Sequence, residues 1–248
     1  MKVHSEQVLE YRHLDEVVST NDSLREYSPV ADVSVLSASF QTKGRGQIGN
    51  AWFSNYGENL LFSVLVTPTN LKVSDAFVLS QAMALAIKET LDTFLSDVCV
   101  KWPNDIYCGN SKICGTLIEN TLMGKMVGRS VIGSGLNVNQ QQFPDGLAAP
   151  PTSIRLLTGK EGSVHDLLHN IIDRFLVYYD EIQRGLYQGI RNKYHTSLYL
   201  RGQQSRFHDE EGIFEGCISH VEPDGHIVIL DADSNARRYA FKQIGLLH

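Results

Sequence analysis

Residues 98–133 read VCVKWPNDIYCGNSKICGTLIENTLMGKMVGRSVIG, and the way this stretch divides decides the fold. Val98 to Lys101, Lys112 to Glu119 and Met126 to Gly133 are short runs of β-branched and apolar residues, strand-like in composition and too short for helices. Turn formers at Asn110-Ser111 and around Gly124 join them, so three strands follow one another with no helix between.

Upstream, Val33 to Ala38 and Asn59 to Val66 read as two buried strands, separated by a Gly-rich polar loop of about 20 residues, a length that marks a loop as functional or mobile. Ser74 is placed to cap a helix running to about Ser96, with Phe77, Val78, Ala82, Leu85, Ala86, Leu91 and Leu95 packing one face on the sheet. Ser163 opens a second long helix with an apolar stripe from Val164 to Tyr179, and a shorter helix is expected over Tyr187 to Ser197. From Arg201 onward the pattern changes to short strands around a Pro223-Asp224-Gly225 turn, an all-β module. Strands in runs, not in strict alternation with helices, predict an α+β fold: a mixed or antiparallel sheet with helices on one side. The expected division is 1–200 and 201–248.

Composition excludes several function classes. A 248-residue chain that is 42% hydrophobic and 20% charged is an ordinary globular sequence. With 22 basic against 28 acidic residues, it carries no basic tract for a nucleic-acid backbone. Cys99, Cys108, Cys114 and Cys217 show no CxxC spacing and sit in or beside apolar runs, as reduced thiols do, which points to the cytoplasm. Met1 to Leu14 lacks the apolar core of a signal peptide, and no segment approaches the roughly 18 apolar residues of a bilayer span, so no membrane partner is expected.

Gly44-Arg45-Gly46-Gln47-Ile48-Gly49 matches GxGxxG, but no helix pattern follows it, so the dinucleotide-binding reading fails. What remains is either a plain surface turn or a loop whose backbone N–H groups, beside Arg45, cradle an anion. Lys101-Trp102-Pro103-Asn104-Asp105 is either an Asx turn or a group of oxygen ligands for a sugar, a nucleotide or hydrated Mg²⁺. Lys112 stands at a strand end, solvated or facing an anion, and Gly133-Ser134-Gly135-Leu136-Asn137-Val138-Asn139 permits close ligand approach or marks a bulge. His165-Asp166-Leu167-Leu168-His169 has the spacing of a zinc helix with Asp in place of the basic glutamate, which argues against zinc. No GxSxG elbow or P-loop occurs.

In order and at their spacing, Ser19-Thr20-Asn21, the Gly44 to Trp52 loop, Lys101 to Asp105, Lys112 to Glu119 and Gly133 to Asn139 resemble the biotin protein ligase family over nearly the whole chain. The resemblance implies a catalytic domain like that of class II aminoacyl-tRNA synthetases, plus a C-terminal SH3-like barrel. It implies an enzyme that forms biotinyl-5′-AMP from biotin and Mg-ATP and transfers biotin to a lysine of a biotin carboxyl carrier protein, as a monomer or homodimer.

By position, the resemblance assigns Ser19, Thr20, Asn21, Gln41, Gly44, Arg45, Lys112 and Gly115 to biotin, and Gly46, Gln47, Trp52, Asn104, Asp105 and Asn137 to ATP. Lys112 and Arg45 are the catalytic cations and Asp105 the Mg²⁺ ligand. The glycine loop is expected to be mobile without ligand. Two departures stand out: Gln47, Ile48 and Asn50 occupy positions where many relatives carry further arginines, and too few residues precede Ser19 for a helix-turn-helix domain, which argues against direct repressor function. A lipoate or octanoate ligase and a non-catalytic biotin sensor are the alternatives.

Overall fold

The computed structural model describes residues 9–28, 31–47, 51–147 and 149–247. Its larger sheet has seven strands: β1 (Leu9–Val17), β2 (Val33–Gln41), β3 (Leu60–Val66), β4 (Val98–Lys101), β5 (Asp105–Cys108), β6 (Ser111–Met123) and β7 (Met126–Leu136). They lie in the order β1-β2-β3-β7-β6-β5-β4, with β1 parallel to β2 and every other pair antiparallel. The sheet is therefore mixed.

Alternation along the strands gives the sheet two faces. Val33, Val35, Phe62, Val64 and Ile132 point into the main core. Against that face packs α2 (Phe77–Leu91), joined at β3 by α4 (Val164–Gln183), and α5 (Tyr187–Thr196) packs behind on α2 and α4. Ser163 caps α4 by accepting from the N–H of Asp166, as its position before the apolar stripe predicts. Leu36, Leu65 and Val131 point the other way and are covered by Leu24 of the six-residue helix α1 (Thr20–Arg25). Helices thus occupy both faces, not one, and the minor face is the one that carries the site.

The helix expected over 74–96 differs at both ends. Val73–Asp75 is a separate 3-10 turn, α2 begins only at Phe77 with no side-chain cap, and it stops at Leu91. Every residue from Val78 to Ile87 is buried, because α2 lies between the sheet and α4 with α5, so it packs all round and not on one face. The turn at Asn110 closes a hairpin between β5 and β6; β5, absent from the sequence reading, intervenes between the first two predicted strands.

After the short helix α3 (Ile154–Thr158), which precedes α4, the chain ends in a second, antiparallel sheet: β8 (Gln204–Asp209), β9 (Gly212–Val221), β10 (Ile227–Asp231), β11 (Ala236–Tyr239) and β12 (Gly245–Leu247). Its order is β11-β10-β9-β8-β12, so β11 and β12 remain edges and the sheet stays open where a closed barrel was expected. Phe207, Ile218, Val221, Ile227 and Ile229 join the main core. Two polar contacts pin the docking: Trp102 Nε1 donates to the Gly225 carbonyl at 2.8 Å, and His195 Nε2 lies 2.9 Å from the Val221 carbonyl. The four cysteines are free thiols, and among the described residues no helix is long and apolar enough to cross a membrane.

Candidate active site

Strand register builds the site. Lys101 pairs with Asp105, Asp105 with Gly115, and Gly115 with Gly135, forming one row across β4, β5, β6 and β7. The two glycines leave a trough in the minor face, closed at one end by the charged pair. A cavity of about 400 Å³ follows this trough, running from Ser19, Thr20 and Gln41 past Gly115 and Gly135 to Lys101, Asp105 and Lys112, and on to Phe241 and Ile244 between β11 and β12.

One end of the cavity is a web of neutral polar groups. The Thr20 N–H donates to Gln41 Oε1 at 2.8 Å and the Thr20 hydroxyl donates to the same oxygen at 3.1 Å. Behind them, fully buried Ser63 of β3 lies 2.7 Å from Thr20 Oγ1 and 2.6 Å from Asn21 Oδ1. Such a web is worth burying when a ligand completes its hydrogen bonds, because unpaired buried donors and acceptors cost roughly 1–3 kcal/mol each.

The opposite end is charged. Lys112 Nζ lies 2.7 Å from Asp105 Oδ1. Lys101 sits on the strand beyond, its ammonium 3.1 Å from the Tyr107 hydroxyl. Burial pushes the Asp105 carboxyl up; the ammonium groups of Lys112 and Lys101 pull it back without cancelling that rise. Burial likewise lowers Lys101 and raises Tyr107. Counting Lys101, Lys112 and Asp105 leaves one net positive charge, an anion-attracting end in a partly desolvated site. Lys112 is therefore not a solvated strand-end lysine.

The glycine loop lies over the trough. Gly44 accepts from the Trp52 N–H at 2.9 Å, and a Cβ on Gly44 would press on the Trp52 backbone. The Trp52 indole rests on the trough floor: a Cβ at Gly115 would stand 3.1 Å from it and one at Gly135 would collide with it. Its Nε1 is buried with no hydrogen-bond partner, and so is Gln47 Oε1. The Arg45 guanidinium, expected to face an anionic ligand, is instead paired with Asp22 at 2.7 Å and Glu119 at 3.0 Å. Ile48, Gly49 and Asn50 lie outside the described residues.

Of the residues singled out in the sequence, Ser19, Thr20, Asn21, Gln41, Arg45, Gly46, Gln47, Trp52, Asn104, Asp105, Lys112 and Gly115 line this one cavity. Gly44 packs behind Trp52. Asn137 is not in the lining: its amide donates to the Thr152 carbonyl at 2.9 Å, which ties β7 to the loop before α3. Sequence reasoning missed Ser63, Glu119 and the side chain of Lys101 as site groups. Lys101 and Glu119 were visible at the ends of quoted motifs, whereas Ser63 is an ordinary polar position in a buried strand and gave no signal. His165 is exposed and pairs with Asp166, and it belongs to no metal-ligating cluster among the described residues.

Residues 15–137 match the family model described as the biotin/lipoate A/B protein ligase family. These residues form a domain of that family. Across 208 residues it is 24% identical to the bifunctional ligase/repressor BirA of Bacillus subtilis (strain 168), covering 83% of this chain and 63% of that protein. It thus spans less than two thirds of that relative's length. It is 29% identical over 154 residues to the biotin--[acetyl-CoA-carboxylase] ligase of Mycobacterium tuberculosis, covering 58% of this chain and 55% of that one. Among solved structures, a biotin protein ligase from Aquifex aeolicus in complex with biotin and ATP superposes with a TM-score of 0.78 at 25% identity, covering 96% of this chain and 98% of that chain. The family's catalytic fold, a mixed sheet with packed helices, is the fold of this chain, and the C-terminal antiparallel sheet, though not closed, is consistent with the expected SH3-like barrel.

Proposed function

We propose that this protein is an ATP-dependent biotin protein ligase acting on a lysine of a biotin carboxyl carrier protein, with catalytic residues 1–200 and the β module 201–248 sharing one site. The observation that carries the reading is the cavity's polarity: a neutral hydrogen-bonding web around Thr20, Gln41 and Ser63 at one end, a net positive end at Lys112 and Lys101, and a glycine-floored trough between. A biotin molecule has that polarity, with a ureido ring at one end, a carboxylate at the other and an apolar chain between. A lipoyl group offers no donor or acceptor to the web, and the stranded polar groups discriminate against it.

The chemistry follows from the charged end. A carboxylate must approach the α-phosphorus of a polyanionic triphosphate, and the repulsion is offset by Lys112 and Lys101, worth roughly 2.7–4 kcal/mol for a well-placed donor. The carboxylate oxygen bonds to the α-phosphorus, pyrophosphate leaves and biotinyl-5′-AMP remains. The neutral amine of the carrier lysine then attacks the acyl carbon, the bond to AMP breaks and the amine loses its proton. Asp105 and Asn104, adjacent at the start of β5, form a hard oxygen donor set suited to Mg²⁺, which takes one or two carboxylates plus substrate phosphates. When bound, Mg²⁺ supplies neutralisation of phosphate charge. Trp52 and the glycine loop keep water from the reactive anhydride.

The test is to incubate the protein with Mg-ATP, a carrier domain and either labelled biotin or labelled lipoate. Biotin-dependent labelling of the carrier lysine is expected; labelling by lipoate alone would refute the reading.

A further inference from the structure

Glu119 closes the Lys112 to Glu119 run, yet no role in the reaction falls to it. We propose that Glu119 is a positioning residue that fixes two site groups at once, the carboxamide of Asn21 and the guanidinium of Arg45, and so anchors the root of the glycine loop to the wall of the cavity.

Three elements meet at this carboxylate. Asn21 Nδ2 of α1 donates to Glu119 Oε2 at 2.9 Å, and also to the Leu117 carbonyl at 3.3 Å. Arg45 of the loop donates to Oε2 at 3.0 Å and to Oε1 at 3.3 Å, and Arg25 stands 3.6 Å from Oε1. Asp22 accepts from the same Nη2 of Arg45 at 2.7 Å and also pairs with Arg25. Two cations and two carboxylates sum to zero, so Arg45 presents no net charge to a ligand. Substrate anions are drawn instead to the Lys101 and Lys112 end, and the work left for Arg45 is anchoring.

Asn21 depends on Glu119 for its orientation. An ionised carboxylate only accepts, so the side-chain NH₂ must face Glu119 and the carbonyl must face Ser63, whose Oγ lies 2.6 Å away. The same carbonyl oxygen sits against Gly133, where a Cβ would collide with it. Glutamine at position 119 presents both a donor and an acceptor, so only the longer bond to the Leu117 carbonyl is left to hold the Asn21 amide one way round. These pairs are partly exposed and individually add little stability. Their effect is on geometry.

The first measurement is hydrogen exchange on the free protein, which needs no substrate. Glu119→Gln should speed exchange of the Trp52 N–H, bonded to Gly44 at the loop root, by about tenfold, leaving α2 and β3 protected. Arg45→Met, which also gives up the Asp22 pair, should speed it at least as much, and the double variant should be no faster than Arg45→Met alone, since the Glu119 link is already lost with the guanidinium. Unchanged exchange at Trp52, or additive effects in the double variant, would overturn the proposal; general deprotection including α2 would reduce Glu119 to a structural residue and overturn it equally. The second measurement rests on the biotin reading: Glu119→Gln should weaken biotin binding about tenfold with KM for ATP changed less than about twofold. Equal losses for both substrates would contradict the positioning role. If the wild-type protein binds no biotin at all, the functional reading fails while the exchange experiment still judges Glu119.

Discussion

Replacing Lys112 by alanine removes the ammonium that lies 2.7 Å from Asp105 and folds over Gly115. The charged end then falls from one net positive charge to none, because Lys101 and Asp105 cancel. Losing one well-placed donor to the developing charge costs roughly 2.7–4 kcal/mol, about 10²–10³ in the rate of adenylate formation. Two second-order effects oppose each other: Lys101 still supplies a cation nearby, while the Asp105 carboxylate, no longer paired, repels the phosphates. Stability should change little, by about 1 kcal/mol, because both partners are partly solvated. The assay is single-turnover formation of the acyl-adenylate after rapid quench, run for Lys112→Ala and Lys112→Met, the latter keeping the apolar stem. A folded Lys112→Ala protein forming adenylate within about threefold of wild type would refute the electrostatic argument.

Three further outcomes follow from other parts of the site. Gly135→Ala puts a methyl group into the Trp52 indole, so biotin affinity measured by calorimetry should fall at least about tenfold, and unchanged affinity would mean that the indole leaves the trough at no cost. Gln47→Arg places a guanidinium where Gln47 Oε1 now lacks a partner, and should slow escape of the acyl-adenylate about tenfold in a chase experiment, one charged hydrogen bond being worth about 1.5–3 kcal/mol. Burial lowers the His195 ring below its ordinary value, despite the bond to Val221. The unfolded chain therefore binds the extra proton first as pH falls, so stability is full above pH ~6.5 and declines below it. His195→Gln should flatten the dependence of Tm on pH between about 7 and 5, and an unaltered slope would exclude His195 as its source.

How much of this was legible in the sequence depends on how local each signal is. The Val33–Ala38, Lys112–Glu119 and Met126–Gly133 strands and the capped helix from Ser163 were readable because burial imposes a period on neighbouring residues. β1 was not: it is an edge strand with mostly exposed residues, and its Glu10, Arg12, Asp15 and Glu16 mask the pattern. α1 has six mainly polar residues, and β5 has four residues directly after Trp102-Pro103-Asn104, too few for any periodicity. The cavity's lining was largely named in advance, because the motifs contain it. The pairing of Arg45 was invisible, since its carboxylates stand 23 and 74 residues away in the chain and only the fold brings them together. Ser63 was hidden for the same reason, 43 residues from Thr20.

The central claim is that the carboxylate of biotin is activated by ATP in this cavity. The most direct measurement is mass spectrometry of the small molecules after mixing the protein with biotin and Mg-ATP in the absence of any carrier. The account predicts biotinyl-5′-AMP and an equal amount of pyrophosphate, both lost in Lys112→Ala. Pyrophosphate release with lipoate but not with biotin, or no adenylate with either acid, would contradict it.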